Sequence, residues 1–227
     1  LLLKCFLREN EQRKKLKEKY SLIKLYGLKM SNYYSLTKAL LIEKCVEFEE
    51  VKTPPSQDET FLSKSPMGKM PAIEVDGVFL SESLAIAQYL EATGTGASLL
   101  PEDQLAAAKV AELVLHIKLD VELVARRCLP EAFFGQTVSD ETKNQSRADL
   151  EKGMKAVARL FKAPTVGADM PNLADFYTFY SFGLASGVTK TIWDMDLLEG
   201  YPQIATVMAR MAKHPSVARV EAEKAVK

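Results

Sequence analysis

The stretch SPMGKMPAIEVDGVFLSESLAIAQYLE, residues 65–91, sets a hairpin and a helix in immediate succession. AIEV and VFL flank Asp76-Gly77, a dipeptide that accepts positive φ and so suits a two-residue turn between antiparallel strands. SESLAIAQYLEA, residues 81–92, then changes period. Leu84, Ile86, Ala87 and Leu90 fall where an amphipathic helix buries its apolar face, and Gly94-Thr95-Gly96 stops it. Ser81 reads as the helix cap, with Glu82 favourable in the first turn beside the positive end of the dipole.

Working back toward the N-terminus, LIKLY (22–26) alternates apolar with polar and ends at Gly27, which predicts a strand followed by a loop. YYSLTKALLIEKC (33–45) places Leu36, Ala39, Leu40 and the neighbouring Ile42 at helical spacing, and VEFEEV (46–51) returns to a period of two. Strand, helix, strand is a parallel crossover unit. After Pro54-Pro55 a short polar helix is expected over residues 57–64. The order βαβ, short helix, ββα is that of a thioredoxin-like domain, assigned to residues 21–93 with a linker at 94–101.

Beyond the linker the strand signal disappears, so residues 102–227 are expected to form an all-helical domain and the chain as a whole an α/β domain followed by a helical bundle. Pro101, with Glu102 and Asp103 in a first turn, opens a helix expected to reach Cys128. Ser139 suits the N-cap of a second long helix ending near Phe161. Asn172 with Asp175 three residues on has the spacing of a capping box for a helix through Phe182, and Pro202 starts another ending near Lys213.

Composition narrows the function classes. At 227 residues and 47% hydrophobic content the chain can bury real cores, which argues against disorder. Lys+Arg and Asp+Glu balance at 30 each, so nothing overall draws the protein to nucleic acid or an anionic membrane. Cys5, Cys45 and Cys128 lack the paired spacing of a zinc site or disulfide framework, His116 and His214 are isolated, and no metal is expected. Cys45 reads as a core residue on an apolar helix face. No apolar run approaches the ~20 residues of a membrane span, and a cytoplasmic protein is expected. Residues 1–20 stand apart as a basic N-terminal extension, read as a solvated helical tail.

The stretch at 65–91 resembles the glutathione-binding core of glutathione S-transferases, and the likeness extends in outline over residues 21–220, through NLADF and YPQIATVMARMAKHPSV. The resemblance is to the bacterial, theta-like, serine type. It implies a detoxifying homodimer in which the first domain holds glutathione as co-substrate and the second shapes a pocket for a small hydrophobic electrophile. It also implies a cis peptide at Met70-Pro71, whose flanking backbone receives the cysteinyl part of glutathione as one more antiparallel strand. Glu82 and Ser83 match the positions that hold the γ-glutamyl end, the carboxylate on Ser83 and its N–H and the ammonium facing Glu82. Lys69 is placed to pair with the glycine carboxylate.

Such chemistry needs a thiolate, and a free thiol with a pKa near ~8.5 is mostly protonated at neutral pH. Lowering it by about two units takes about 2.7 kcal/mol of preferential thiolate stabilisation. A hydroxyl donor at a helix N-terminus suits that task. In LYGLKMSNYYSLTK, Ser31 lies just before the helix and matches the catalytic serine of the family. Tyr26 is the rival, as tyrosine-type members carry their hydroxyl near the end of this strand, and Asn32, Tyr33 and Tyr34 also begin the helix. Ser35 stands where an arginine is frequent in the family. No cysteine falls in residues 28–35 and there is no C-x-x-C, which argues against mixed-disulfide chemistry on a protein thiol. Glutathione transfer to an electrophile or peroxide is the first expectation. Two alternatives stand beside it: a non-catalytic binding or regulatory protein of this fold, and a glutathione-dependent disulfide reductase without a protein cysteine.

Overall fold

The computed structural model describes residues 22–162 and 170–225. The basic extension at 1–20 lies outside them. The chain forms two compact units, the first ending at Ala97 and taking in the chain from Val220 on, the second running Ser98–Arg219. The sequence division had assigned everything after residue 101 to the second.

In the first unit β1 (Ile23–Gly27), α1 (Asn32–Glu43) and β2 (Phe48–Lys52) form the expected crossover. A short α2 (Glu59–Leu62), the hairpin β3 (Ala72–Val75) and β4 (Val78–Ser81), and α3 (Ser83–Thr93) follow. The four-stranded sheet has the order β2-β1-β3-β4. β1 runs parallel to β2, with Ile23 opposite Phe48, and antiparallel to β3, with Leu25 opposite Ile73. Asp76 (φ 51°) and Gly77 (φ 80°) make the hairpin turn, the positive φ at both central positions being that of a type I′ turn. Leu25, Leu36, Ala39, Leu40, Ile73, Ile86, Ala87 and Leu90 are buried, but Ile42 and Leu84, expected on the same helix faces, are half-buried, and Leu41, outside the expected set, is fully buried.

Where the helix α1 ends, the burial pattern departs from the sequence reading. Lys44 caps the helix and is itself buried, its ammonium donating to the carbonyls of Gly96 (3.2 Å) and Ala97 (2.9 Å) and to Glu91 (3.1 Å). Three acceptors compensate the burial of that charge. The chain then turns through Cys45 at φ 53°, which leaves the thiol side exposed rather than in the core.

In the second unit α4 (Gln104–His116) is capped by Asp103, whose carboxylate accepts from the Ala106 N–H at 2.8 Å. The helix therefore starts after Asp103 and not at Pro101. The helical path does continue to Cys128, but through a π-helical segment Ile117–Glu122 and a 3-10 turn Arg126–Cys128. A periodicity count cannot see a one-residue insertion of this kind. Then come α5 (Leu129–Phe134), α6 (Asp140–Leu160) with Ser139 as N-cap, α7 (Leu173–Trp193), α8 (Pro202–Met211) and α9 (Pro215–Ala225), whose residues from Val220 on belong to the first unit. Helix α7 runs well past the expected end at Phe182. Burial of Ala185 and Val188 carries it through Gly183 and Gly187, each of which costs ~1 kcal/mol in intrinsic propensity. Helix α9 had no sequence expectation. Among the described residues no helix is long and apolar enough to cross a membrane.

The expected capping box is present. Asn172 Oδ1 accepts from the N–H groups of Ala174 (2.9 Å) and Asp175 (3.3 Å), and the Asp175 carboxylate accepts from the Asn172 N–H at 2.8 Å. Asp175 is wholly buried and its other oxygen accepts from Arg210 of α8 at 2.9 Å, so one carboxylate both starts α7 and ties it to α8. Truncation would remove a cap and break a buried pair together. Asp175→Ala is expected to lower stability by ~2–4 kcal/mol in urea denaturation followed by far-ultraviolet dichroism.

Candidate functional site

Strand register decides which loops meet. Tyr26 of β1 faces Ala72 of β3, and Ala72 faces Ser81 of β4. The segments that continue from these three residues, Gly27–Ser31, Lys69–Pro71 and Glu82–Ser83, therefore leave the sheet at the same end. Gly27 confirms how close they come: a Cβ there would lie 3.3 Å from the Met70 Cβ and 2.5 Å from the Tyr34 ring, and its φ is 152°. Only glycine fits that approach.

Each segment arrives in a distinct state. Met70-Pro71 is a cis peptide, as expected, with Pro71 buried and Lys69 exposed. Met70 lies just ahead of the first antiparallel pair of β3. Ser83 is buried as the first residue of α3, and Glu82 precedes it as the cap residue at φ 68°, ψ 116°. Ser81, expected as the cap, is instead the last residue of β4. The reason is the hairpin register, which keeps Ser81 paired with Ala72 and moves the cap one residue on, to Glu82. A non-glycine residue held at such a φ costs on the order of 1–3 kcal/mol, and such positions cluster where a site demands them.

Ser31 sits at φ −79°, ψ 125° as the N-cap of α1, its N–H donating to the Leu28 carbonyl at 3.0 Å and its Oγ accepting from the Tyr34 N–H at 3.3 Å. Capping uses an oxygen lone pair. The hydroxyl hydrogen remains a donor, so the cap and a thiolate-donor role are compatible.

Three other hydroxyls of this neighbourhood, those of Tyr26, Tyr34 and Ser35, donate elsewhere. Tyr26, buried in the sheet, donates to Glu74 at 2.5 Å. Burial first, and then Glu74, push its pKa up to about 12, so the phenol stays protonated and its proton is held by Glu74. Tyr34 donates to Glu50 at 2.5 Å, and burial together with that carboxylate raises its pKa well above the ordinary phenol range. Ser35, at the position where an arginine is frequent in the family, is buried with its Oγ donating to the Lys29 carbonyl at 3.3 Å. Tyr33 and Asn32 are half-buried at the start of the helix.

A family model described as "Glutathione S-transferase, N-terminal domain" matches residues 25–97. A glutathione S-transferase of Pseudomonas putida is 40% identical over 204 residues, covering 89% of this chain and 93% of the relative. The chain belongs to the glutathione S-transferase family. Among solved structures, glutathione S-transferase III in its apo form superposes with a TM-score of 0.74 at 20% identity, covering 91% of this chain and 99% of that one. A maleylacetoacetate isomerase of Methylobacterium extorquens, solved with malonate and glutathione bound, superposes with a TM-score of 0.69 at 26% identity, covering 87% and 95%. The sequence resemblance and the architecture thus agree for this glutathione S-transferase.

What the sequence reading missed in the site is the set of carboxylates that take up the tyrosine hydroxyls. Glu50 and Glu74 looked like ordinary polar positions of alternating strands, and only the tertiary fold brings Glu74 to Tyr26 of the neighbouring strand and Glu50 to Tyr34 of helix α1. The Tyr26–Glu74 bond gives a test of the rival hydroxyl: Tyr26→Phe is expected to leave turnover with glutathione and its pH profile unchanged within twofold, as steady-state kinetics would read.

Proposed function

We propose that the protein is a glutathione transferase in which the Ser31 hydroxyl donates to the glutathione sulfur, holding it as thiolate for attack on an electrophilic carbon or a peroxide. The observation that carries this reading is the state of Ser31: it caps α1 through its oxygen and keeps its hydrogen for donation, while Tyr26 and Tyr34 have given theirs to carboxylates. The helix opened by Ser31 adds the positive end of its dipole beside the developing charge.

In this reading glutathione lies along the edge ahead of β3. Its cysteinyl backbone pairs with Met70 beside Pro71, in the manner of an added antiparallel strand. Its γ-glutamyl carboxylate meets Ser83 at the start of α3, where backbone N–H groups and the dipole favour an anion, and its ammonium faces Glu82. Lys69, exposed in the preceding loop, takes the glycine carboxylate. The acceptor is a small hydrophobic electrophile, and the working assembly is a cytoplasmic homodimer, both carried over from the family.

The reaction needs no protein cysteine. With a carbon electrophile the thiolate forms a new carbon–sulfur bond and the leaving group departs with the bonding pair; with a peroxide the sulfur bonds the terminal oxygen, the O–O bond breaks, the alkoxide leaves and takes a proton from solvent, and a second glutathione thiol displaces water from the resulting sulfenic acid to give the disulfide. Cys45, beyond the far end of α1, is outside this chemistry.

Two substitutions test the reading. Ser31→Ala is expected to raise the pKa of bound glutathione toward that of the free thiol and lower kcat/KM by ~10²-fold near neutrality, read by thiolate absorbance titration and initial rates; an unshifted thiol would remove Ser31 from the role. Glu82→Gly relieves the positive φ while deleting the carboxylate, so thermal stability should hold or rise as glutathione affinity falls ~10-fold in calorimetry. Loss of stability with unchanged affinity would count against Glu82 as a ligand.

A further inference from the structure

Helix α1 and the turn before it are held from outside by one residue, Glu223, which lies in α9 and belongs to the first unit. Lys38, two turns into α1, is only 3% exposed, and a buried amine of this kind must find hydrogen-bond acceptors. It donates to Glu50 of β2 at 2.5 Å and to the Glu223 carboxylate. The backbone carbonyl of Glu223 accepts from Lys29 at 3.2 Å. Lys29 is two residues before Ser31, and its own carbonyl accepts from the buried Ser35 hydroxyl at 3.3 Å.

These bonds close around Ser31. Its Oγ receives the Tyr34 N–H, the Tyr34 hydroxyl donates to Glu50, Glu50 and Glu223 share Lys38, and Glu223 returns through Lys29 to the turn that carries Ser31. The turn itself is otherwise exposed: Lys29 lies at the surface and Met30 is 71% exposed, so little apolar packing fixes it. An exposed turn with few buried contacts opens at low free energy unless polar contacts hold it. Desolvation opposes ionisation of Glu50, but the hydrogen bonds from Lys38 and Tyr34 outweigh it and hold its carboxyl below the usual range. The Glu50 carboxyl is therefore ionised at neutral pH and accepts from both partners.

We propose that Glu223 is a positioning residue for the transferase reaction, gripping the Ser31 turn through Lys29 and helix α1 through Lys38 so that the Ser31 hydroxyl is aimed at the glutathione sulfur. The inference rests on the Ser31 reading above. Glu223 touches neither glutathione nor the reacting atoms in this arrangement, and its effect passes through the geometry of one hydrogen-bond donor. Donation weakens steeply with angle and distance, so a loosened turn stabilises the thiolate less without removing any group that binds the tripeptide.

The test compares Glu223→Gln, Lys29→Ala and Ser31→Ala in the full chain, with glutathione as the titrated thiol and S-methylglutathione as a ligand that has no thiol to ionise. Glu223→Gln deletes the carboxylate charge on Lys38; Lys29→Ala deletes the bond to the Glu223 carbonyl at an exposed position, so it reports even if the first variant folds poorly. Both are expected to raise the bound thiol pKa by ~0.5–1 unit and move the acid limb of kcat/KM upward by the same amount. Affinity for S-methylglutathione should stay within twofold, and neither change should add to that of Ser31→Ala. An unshifted thiol in both variants while Ser31→Ala raises it overturns the role of Glu223 and leaves Ser31 standing. An unshifted thiol in Ser31→Ala overturns the Ser31 reading and this inference with it. A shift of undiminished size on the Ser31→Ala background, or a parallel loss of S-methylglutathione affinity, overturns positioning through Ser31.

Discussion

The alignment of Tyr26, Ala72 and Ser81 across three neighbouring strands is the constraint on which the site depends. Side chains alternate with a period of two along a strand, so a slip of one residue in β3 would turn its buried positions outward. It would also carry Met70 and Glu82 away from the Ser31 turn. The register is held by what the strands bury, Leu25 opposite Ile73 with both wholly buried, and by the two-residue hairpin turn, which permits one pairing of β3 with β4.

At the starts of α1 and α3 the backbone meets two demands at once. Ser31 satisfies an orphan N–H of α1 while keeping a hydrogen to donate, and Ser83 opens α3 from a buried position behind a cap residue at positive φ. A helix N-terminus presents several N–H groups without intrahelical partners. An anionic tripeptide end or a thiolate can take that role, and a fold that brings two such termini to one end of a sheet is suited to a ligand with separated negative groups.

Buried lysines set the remaining geometry. Lys44 closes the end of α1 by binding the carbonyls of Gly96 and Ala97, and Lys38 joins α1 to Glu50 and Glu223. A buried ammonium keeps its charge only when several acceptors converge on it. Each lysine therefore gathers chain segments distant in sequence. This is also why Cys45 emerges at the surface: with Lys44 turned inward, the next residue takes the left-handed turn outward.

Local signals in the sequence determined much of this protein: the strand and helix order of the first unit, the Asp76-Gly77 turn, the caps Ser31, Ser139 and Asn172, and the core positions Leu36, Leu40, Ile86 and Leu90. These are legible because periodicity, capping and turn chemistry act over a few adjacent residues. The motif at 65–91 brought the family with it, and so the residues proposed to hold glutathione. Tertiary structure alone decided the start of α3 at Ser83, the π-helical segment at Ile117–Glu122, the exposure of Cys45, the pairing of Tyr26 with Glu74 and Tyr34 with Glu50, and the place of Glu223 beside Lys38. Each of these depends on partners that are remote along the chain or on a shift of a single residue, and a one-dimensional pattern records neither the partner of a buried polar group nor the direction in which a turn sends the next side chain.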